Sequence, residues 1–167
     1  MRGDGPPPPR AAWTPRLEHS SSLPPSFAGA RIAQEALTWL GTPYQHRTSV
    51  RGVGCDCLGL VRGVWREVVG AEPAAVPPYS VDWAEVGEAE PLVEAMDRWF
   101  APVTAWGVGD VLAFRMADGA RVKHLAIVSA PDRIVHAYWG RAVVVSWLQP
   151  WWLRRASGAW RFPAEEF

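Results

Sequence analysis

Nowhere in the 167 residues does an apolar run approach the roughly 18–20 that a membrane-spanning helix requires. Charge of one sign is not in excess: Lys plus Arg and Asp plus Glu number 17 each. That balance argues against a nucleic-acid binder, which carries a basic surplus, and supplies no field to steer the chain to an anionic surface. Cysteine is scarce, with two residues in all. Cys55 and Cys57 stand two apart, where a bridge would be strained, so no disulfide framework is expected. The opening residues 1–10 carry arginines and a run of prolines but no apolar segment, so they do not read as a secretory leader.

What is present is a globular composition, 49% hydrophobic and 20% charged, in a chain of one-domain length. Eleven tryptophans are many for this length. Such residues fill a core or face a partner, since exposed aromatics concentrate at interfaces.

Three segments follow from the pattern. Residues 1–25 are rich in Pro, Ser and Arg, have no hydrophobic period, and read as an extended arm. Residues 26–147 carry the periodic elements of a folded domain. Residues 148–167 are Trp-rich (Trp151, Trp152, Trp160) and are expected to pack on the domain or on a partner. Within the domain, Ser26 is placed to cap a helix through Ala30, Ile32, Ala33, Ala36, Leu37 and Leu40, with Gly41 and Pro43 as its stop. Residues 42–54 read as a loop. A second helix starts at about Cys57, with Leu60, Val61, Val64, Trp65 and Val68 as its buried stripe and Gly70 at its end. Residues 71–88, with Pro73, Pro77, Pro78, Tyr79 and Trp83, read as an extended excursion, and Leu92 to Phe100 as a short helix. From Asp110 the period shortens. Strands are expected at Val111–Met116, Val122–Ser129, Ile134–Trp139 and Ala142–Trp147, the first turn being Asp118-Gly119. Helices first and an antiparallel sheet after them is α+β order.

Thiolate chemistry needs a cysteine with a lowered pKa, a base and a donor for the developing oxyanion. Cys57, at a helix start, has the positive end of the helix and unpaired first-turn N–H groups beside it. Gly59 allows another segment to come close. A hairpin turning near Ala130-Pro131-Asp132 sets residue 124 opposite 138, so His124 and His136 lie diagonally on one face. His124 can then take the thiol proton while His136 orients its ring. A cysteine in an apolar helix is more often a core residue, and a half-buried histidine is often simply a satisfied one. His19 and His46 read as solvated, with His46 a minor rival for the base.

The ordered runs Gly41-Thr42-Pro43-Tyr44, Asp56-Cys57-Leu58-Gly59-Leu60, Gly109-Asp110-Val111, Lys123-His124-Leu125-Ala126-Ile127-Val128 and Ile134-Val135-His136-Ala137 together resemble the NlpC-type cell-wall cysteine peptidase family, over about residues 28–147. The resemblance implies a papain-like α+β fold with the nucleophile helix packed on an antiparallel sheet. It implies a Cys57–His124–His136 triad, with Tyr44 helping to stabilise the oxyanion. It implies cleavage of amide bonds in peptidoglycan stem peptides, often between D-glutamate and a diamino acid, without metal or other cofactor. Leu58 stands where the family usually has serine, which bears on substrate contacts. The versions from phage tails and gene transfer agents are the most similar in kind. They imply a chain made in the cytoplasm without a signal peptide, carried in a phage-like particle and acting at the cell wall. The Pro-rich arm and the Trp-rich C-terminus would then dock to tail hub or baseplate proteins.

Three other readings stay open at this point. One is an inactive structural tail component of the same fold. Another is a peptidoglycan amidase using the same machinery. The third is a zinc site built from Cys55, Cys57, His124 and His136, although its cysteine spacing is poor.

Overall fold

The computed structural model describes residues 27–76 and 90–163. The arm at 1–25, the cap at Ser26 and most of the expected excursion, including Tyr79 and Trp83, lie outside the described residues.

Helix α1 (Phe27–Leu37) buries Ile32, Ala33 and Ala36. It ends earlier than expected, in turns through residue 41, and Leu37 and Leu40 lie at the surface. Trp39 takes the core position instead: it is 2% exposed, with its Nε1 donating to Glu35 Oε1 at 3.1 Å. The indole lies against Gly63, where a Cβ would come within 2.0 Å of Trp39 Cζ2.

The stretch read as a loop contains a short ribbon, β1 (Ser49–Val50) against β2 (Gly54–Cys55). Isolated bridges join Tyr44 to Cys55 and Pro43 to Ala142. Helix α2 (Cys57–Val68) buries the expected stripe, Leu60, Val61, Val64, Trp65 and Val68, and Gly70 follows at φ +129. Helix α3 (Pro91–Trp99) starts on a proline, which needs no N–H partner there, and buries Leu92 and Met96.

The sheet is wholly antiparallel. After the two-residue β3 (Ala101–Pro102) come β4 (Val111–Arg115), β5 (Val122–Ala130), β6 (Arg133–Ala137), β7 (Val143–Trp147), the short helix α4 (Pro150–Leu153) and β8 (Ala156–Arg161). Their spatial order is β3-β8-β4-β5-β6-β7. All four expected strands are present, each within about two residues of its expected bounds. Strand β8 adds to the four that the sequence pattern predicts. Its sequence, Ala-Ser-Gly-Ala-Trp-Arg, has no β-branched residue, and the ladder to β4 and the burial of Trp160 hold it in place.

Both faces of the sheet are covered. One packs Leu125, Ile127 and Val135 against α1 and α2. The other packs Leu112, Phe114, Ala126, Val128 and Ile134 under Leu148, Trp106 and Trp152. Double coverage explains why β4 reads as a continuous apolar run rather than an alternating one. Gly109, at φ +91, lets the turn before β4 touch α1; a Cβ there would lie 2.5 Å from the Gly29 Cα. The tryptophans divide: Trp39, Trp65 and Trp160 are buried, whereas Trp139, Trp147 and Trp151 are exposed. Among the described residues no helix is long and apolar enough to cross a membrane.

Candidate active site

Asp56 fixes where α2 begins. Its Oδ1 accepts from Gly59 N at 2.8 Å as the N-cap, and its Oδ2 accepts from Arg47 N at 2.7 Å. Cys57 is therefore the first residue of the helix. Gly59 is required here: a Cβ on it would lie 2.0 Å from the Thr48 carbonyl oxygen, so the ribbon loop passes directly over the first turn. His46 is not simply solvated, since its Nδ1 lies 3.6 Å from Asp56 Oδ2.

The thiol faces the backbone of β5. Cys57 Sγ donates to the Lys123 carbonyl at 3.7 Å, and the N–H groups of Leu125, Leu58 and Cys57 point at the sulfur. Val128 exchanges backbone bonds with Gly109 and Asp110, the segment leading into β4. By the alternation of a strand, odd-numbered residues of β5 turn their N–H and C=O groups to the β6 side. The β5–β6 ladder runs from Ala130–Arg133 to Ile127–Val135 and goes no further. The sulfur thus sits beside β5 where β6 has parted from it, in the position a ladder partner would hold.

The two imidazoles lie at that parting. The hairpin has the expected register, Ile127 with Val135 and Val128 with Ile134. His124 and His136 share the sheet face of Phe114 and Trp152, with His124 Nε2 2.9 Å from His136 Nδ1. Trp152 stacks on His124 at 5.7 Å. His136 is 1% exposed, and its Nε2 is 2.8 Å from Ser146 Oγ on β7. Ser146 did not emerge from the sequence; one signal available was its place on the same face of the neighbouring strand, paired with Ile134. A neutral His136 that donates from Nε2 to Ser146 must accept at Nδ1. His124 then carries its proton on Nε2 and leaves Nδ1 as the acceptor. That tautomer suits a base toward the thiol, whose hydrogen bond goes in this structure to the Lys123 carbonyl.

The electrostatics correct one expectation. Burial, with the adjacent Asp56 carboxylate, pushes the Cys57 thiol up to about 12, and the N–H groups of Leu125 on β5 and of the helix start only partly oppose it. Burial, with His136 nearby, brings His124 down to about 3, and burial brings His136 to about 4. The resting pair is therefore neutral thiol and neutral imidazole. Burial, then the nearby Cys57, raises the Tyr44 phenol to about 12, so this hydroxyl keeps its proton at neutral pH. Its ring stacks at 6.3 Å with the exposed Trp139. Cys55 is fully buried in β2, a free thiol also raised to about 12. Leu58 packs at the edge of the helix-side core. The four residues of the zinc reading do not converge: among the described residues no group of three or more His, Cys, Asp or Glu could hold a metal ion.

The depressed histidines set an acid limit on stability. The unfolded chain binds protons near pH 6.5 that the native chain refuses until about pH 4 at His136. This contribution is complete above pH 6.5 and is lost as pH falls through that window. Between pH 7 and 4.5 the His136 part amounts to roughly 2–3 kcal/mol. Urea unfolding at the two pH values should show this loss together with a comparable one from His124, and His136→Asn should remove about half of the total. An unchanged pH dependence in the variant would mean the imidazole is not held neutral.

No family profile matches the chain. It is 28% identical over 141 residues to the gamma-DL-glutamyl hydrolase of Bacillus subtilis (strain 168), covering 83% of this chain and 30% of that protein. It is 26% identical over 133 residues to the murein DD-endopeptidase MepS/murein LD-carboxypeptidase of Escherichia coli (strain K12), covering 79% of this chain and 62% of that one. The chain thus spans less than two thirds of each of these relatives. Among solved structures, the NlpC/p60 domain of the peptidoglycan hydrolase SagA superposes with a TM-score of 0.54 at 26% identity, over 80% of this chain and 98% of that domain. Helices α1 and α2 on one face of an antiparallel sheet, with a cysteine opening α2, are the papain-like α+β fold of NlpC/P60 proteins, and this chain has it.

Proposed function

We propose that this protein is a cell-wall hydrolase that cleaves amide bonds in peptidoglycan stem peptides through an acyl-enzyme on Cys57. The observation that supports the reading is the hydrogen-bonded line Ser146–His136–His124, which ends on the residue next to Lys123, whose carbonyl accepts from the Cys57 thiol. The similar proteins named as murein endopeptidase and peptidoglycan hydrolase supply the substrate class.

In this reading the sulfur exchanges the Lys123 carbonyl for His124 Nδ1 as substrate arrives. Proton transfer to the imidazole and attack on the carbonyl are then coupled, because neither ion is stable beforehand. His136 and Ser146 hold the Nε2 proton of His124, so the imidazolium keeps its orientation. The first-turn N–H groups of α2 and the Tyr44 hydroxyl steady the tetrahedral oxygen. His124 returns its proton to the leaving amine, and water resolves the thioester. The reading keeps for Tyr44, Cys57, His124 and His136 the roles that the sequence resemblance implies, and adds Ser146 as a positioning residue.

The finer reading, a tail-associated enzyme of a phage-like particle such as a gene transfer agent, rests on the sequence resemblance and on the exposed Trp147 and Trp151. Digestion of purified sacculi, with mass spectrometry of the fragments, tests the chemistry. New amine and carboxyl ends within the stem peptide are expected. Release of whole stems from the sugar would instead favour an amidase, and no release would favour the inactive tail component. Co-purification with particles tests the setting, and consistent absence from them rejects it.

A further inference from the structure

The turn between β6 and β7 carries two aromatic side chains to the edge of the candidate site. Continued past Ile127–Val135, the β5–β6 register sets Tyr138 opposite His124 and Trp139 opposite Lys123, the residue whose carbonyl accepts from the Cys57 thiol. Tyr138 packs on His136 with ring centroids 5.7 Å apart. Trp139 stacks on Tyr44 at 6.3 Å, with 20° between the planes. Tyr44 in turn bridges to Cys55, two residues before Cys57. The turn is pinned in place. Tyr44 N donates to the Arg141 carbonyl at 2.9 Å, Tyr138 N donates to the Ala142 carbonyl at 2.9 Å, and Pro43 bridges to Ala142.

Outwardly these rings are open. Trp139 is 66% exposed and Tyr138 46%. The indole N–H and the Tyr138 hydroxyl have no hydrogen-bond partner among the described residues. Arg141 is also exposed, with its guanidinium carbon 5.6 Å from the centre of the Tyr138 ring. Rings held this firmly offer contact area with little entropy left to lose on binding. An aromatic face is negative, so it attracts C–H groups, and the donors at its edge seek oxygen acceptors. A saccharide ring matches both, with C–H groups on its faces and hydroxyl and amide oxygens around its rim. An apolar side chain would leave the donors unused.

The reach agrees. Trp139 lies one ring beyond Tyr44, which the reading above places at the reacting carbonyl. Crossing both rings takes about three residues of extended chain, at roughly 3.3–3.6 Å each. In a stem cut after its second residue, the sugar stands about that far away, beyond a lactyl group and two amino acids.

We propose that Trp139 and Tyr138 form a saccharide subsite that stacks the N-acetylated amino sugar bearing the stem, and so favours stems still joined to glycan. The inference rests on the stem-peptide reading above.

The test uses the full chain carrying Cys57→Ala, so that nothing is turned over. Three ligands share L-alanyl-γ-D-glutamyl-L-lysine and differ in the group acylating the alanine: N-acetylmuramyl, D-lactyl or cyclohexylacetyl. Titration calorimetry should show the muramyl peptide binding at least tenfold more tightly than either of the others, at low and at raised salt alike. That ratio should fall below about threefold in W139A and in W139L, which keeps bulk without the aromatic face, and W139F should restore part of it. The thermal midpoint of W139A should match that of the parent, because the ring is mostly exposed. Absence of binding, equal affinity for the muramyl and lactyl peptides, or a ratio that survives W139A and W139L overturns the subsite. A cyclohexylacetyl peptide that binds as well as the muramyl one overturns the saccharide in favour of a merely apolar surface. A chain that prefers the muramyl peptide yet leaves sacculi intact keeps the subsite and loses the hydrolase, and one that digests sacculi without the preference does the reverse.

Discussion

Replacing Cys57 with alanine should abolish stem-peptide hydrolysis, a loss of roughly ten-thousand-fold or more, because the proposed acyl intermediate forms on its sulfur. Cys57→Ser should be nearly as poor, since the imidazole at His124 is already a weak base. The line of hydrogen bonds sets the order of the remaining losses. His124→Ala removes the proton acceptor and should cost about a thousandfold or more. His136→Ala leaves the acceptor but frees its tautomer and should cost about a hundredfold. Ser146→Ala acts one step further away and should cost about tenfold. Cys55→Ala should keep most of the activity, because that sulfur is sealed in β2. Initial rates on a purified stem peptide measure the whole series. If Cys55→Ala is the dead variant, or if His136→Ala costs as much as His124→Ala, the assigned roles are wrong.

Gly59→Ala should be the most damaging of the single-methyl changes. The added carbon would meet the Thr48 carbonyl oxygen at 2.0 Å, and that oxygen belongs to backbone held on both sides. Ser49 Oγ donates to the Gly59 carbonyl at 2.5 Å, and Arg47 N donates to Asp56, so the loop cannot swing away without breaking the cap. Overpacking of this kind costs roughly 3 kcal/mol. The thermal midpoint should fall by about 10 °C. Gly119→Ala is the proper comparison. Gly119 has φ +70 but nothing within 4 Å of the added carbon, so only backbone strain of about 1 kcal/mol opposes it. Equal melting shifts for the two variants would remove the close approach of loop and helix as an explanation.

The parts of this arrangement that were legible in the sequence are those written in local pattern. The α2 stripe, the start of that helix at Cys57 and the four expected strands follow from periodicity and turn chemistry. The hairpin register followed from the short turn at Pro131-Asp132, and the contact between His124 and His136 followed from the register. What could not be read depended on distant partners. Strand β8 has no strand-like composition and exists because β4 offers it a ladder. Trp39, beyond the end of α1, is a core residue because Gly63 leaves room for its ring. Ser146 is one serine among many until β7 is laid beside β6. The thiol's ionisation is not legible for a similar reason: a helix end is visible in sequence, whereas the burial that outweighs it is not.

The setting of the sulfur in line with two separating strands has a further effect on its chemical lifetime. At neutral pH almost none of it is ionised, and peroxide and most alkylating agents attack the ionised form. On the proposed reading, the nucleophile is thus kept in a form that ages slowly and becomes reactive only on contact with the bond it is to break.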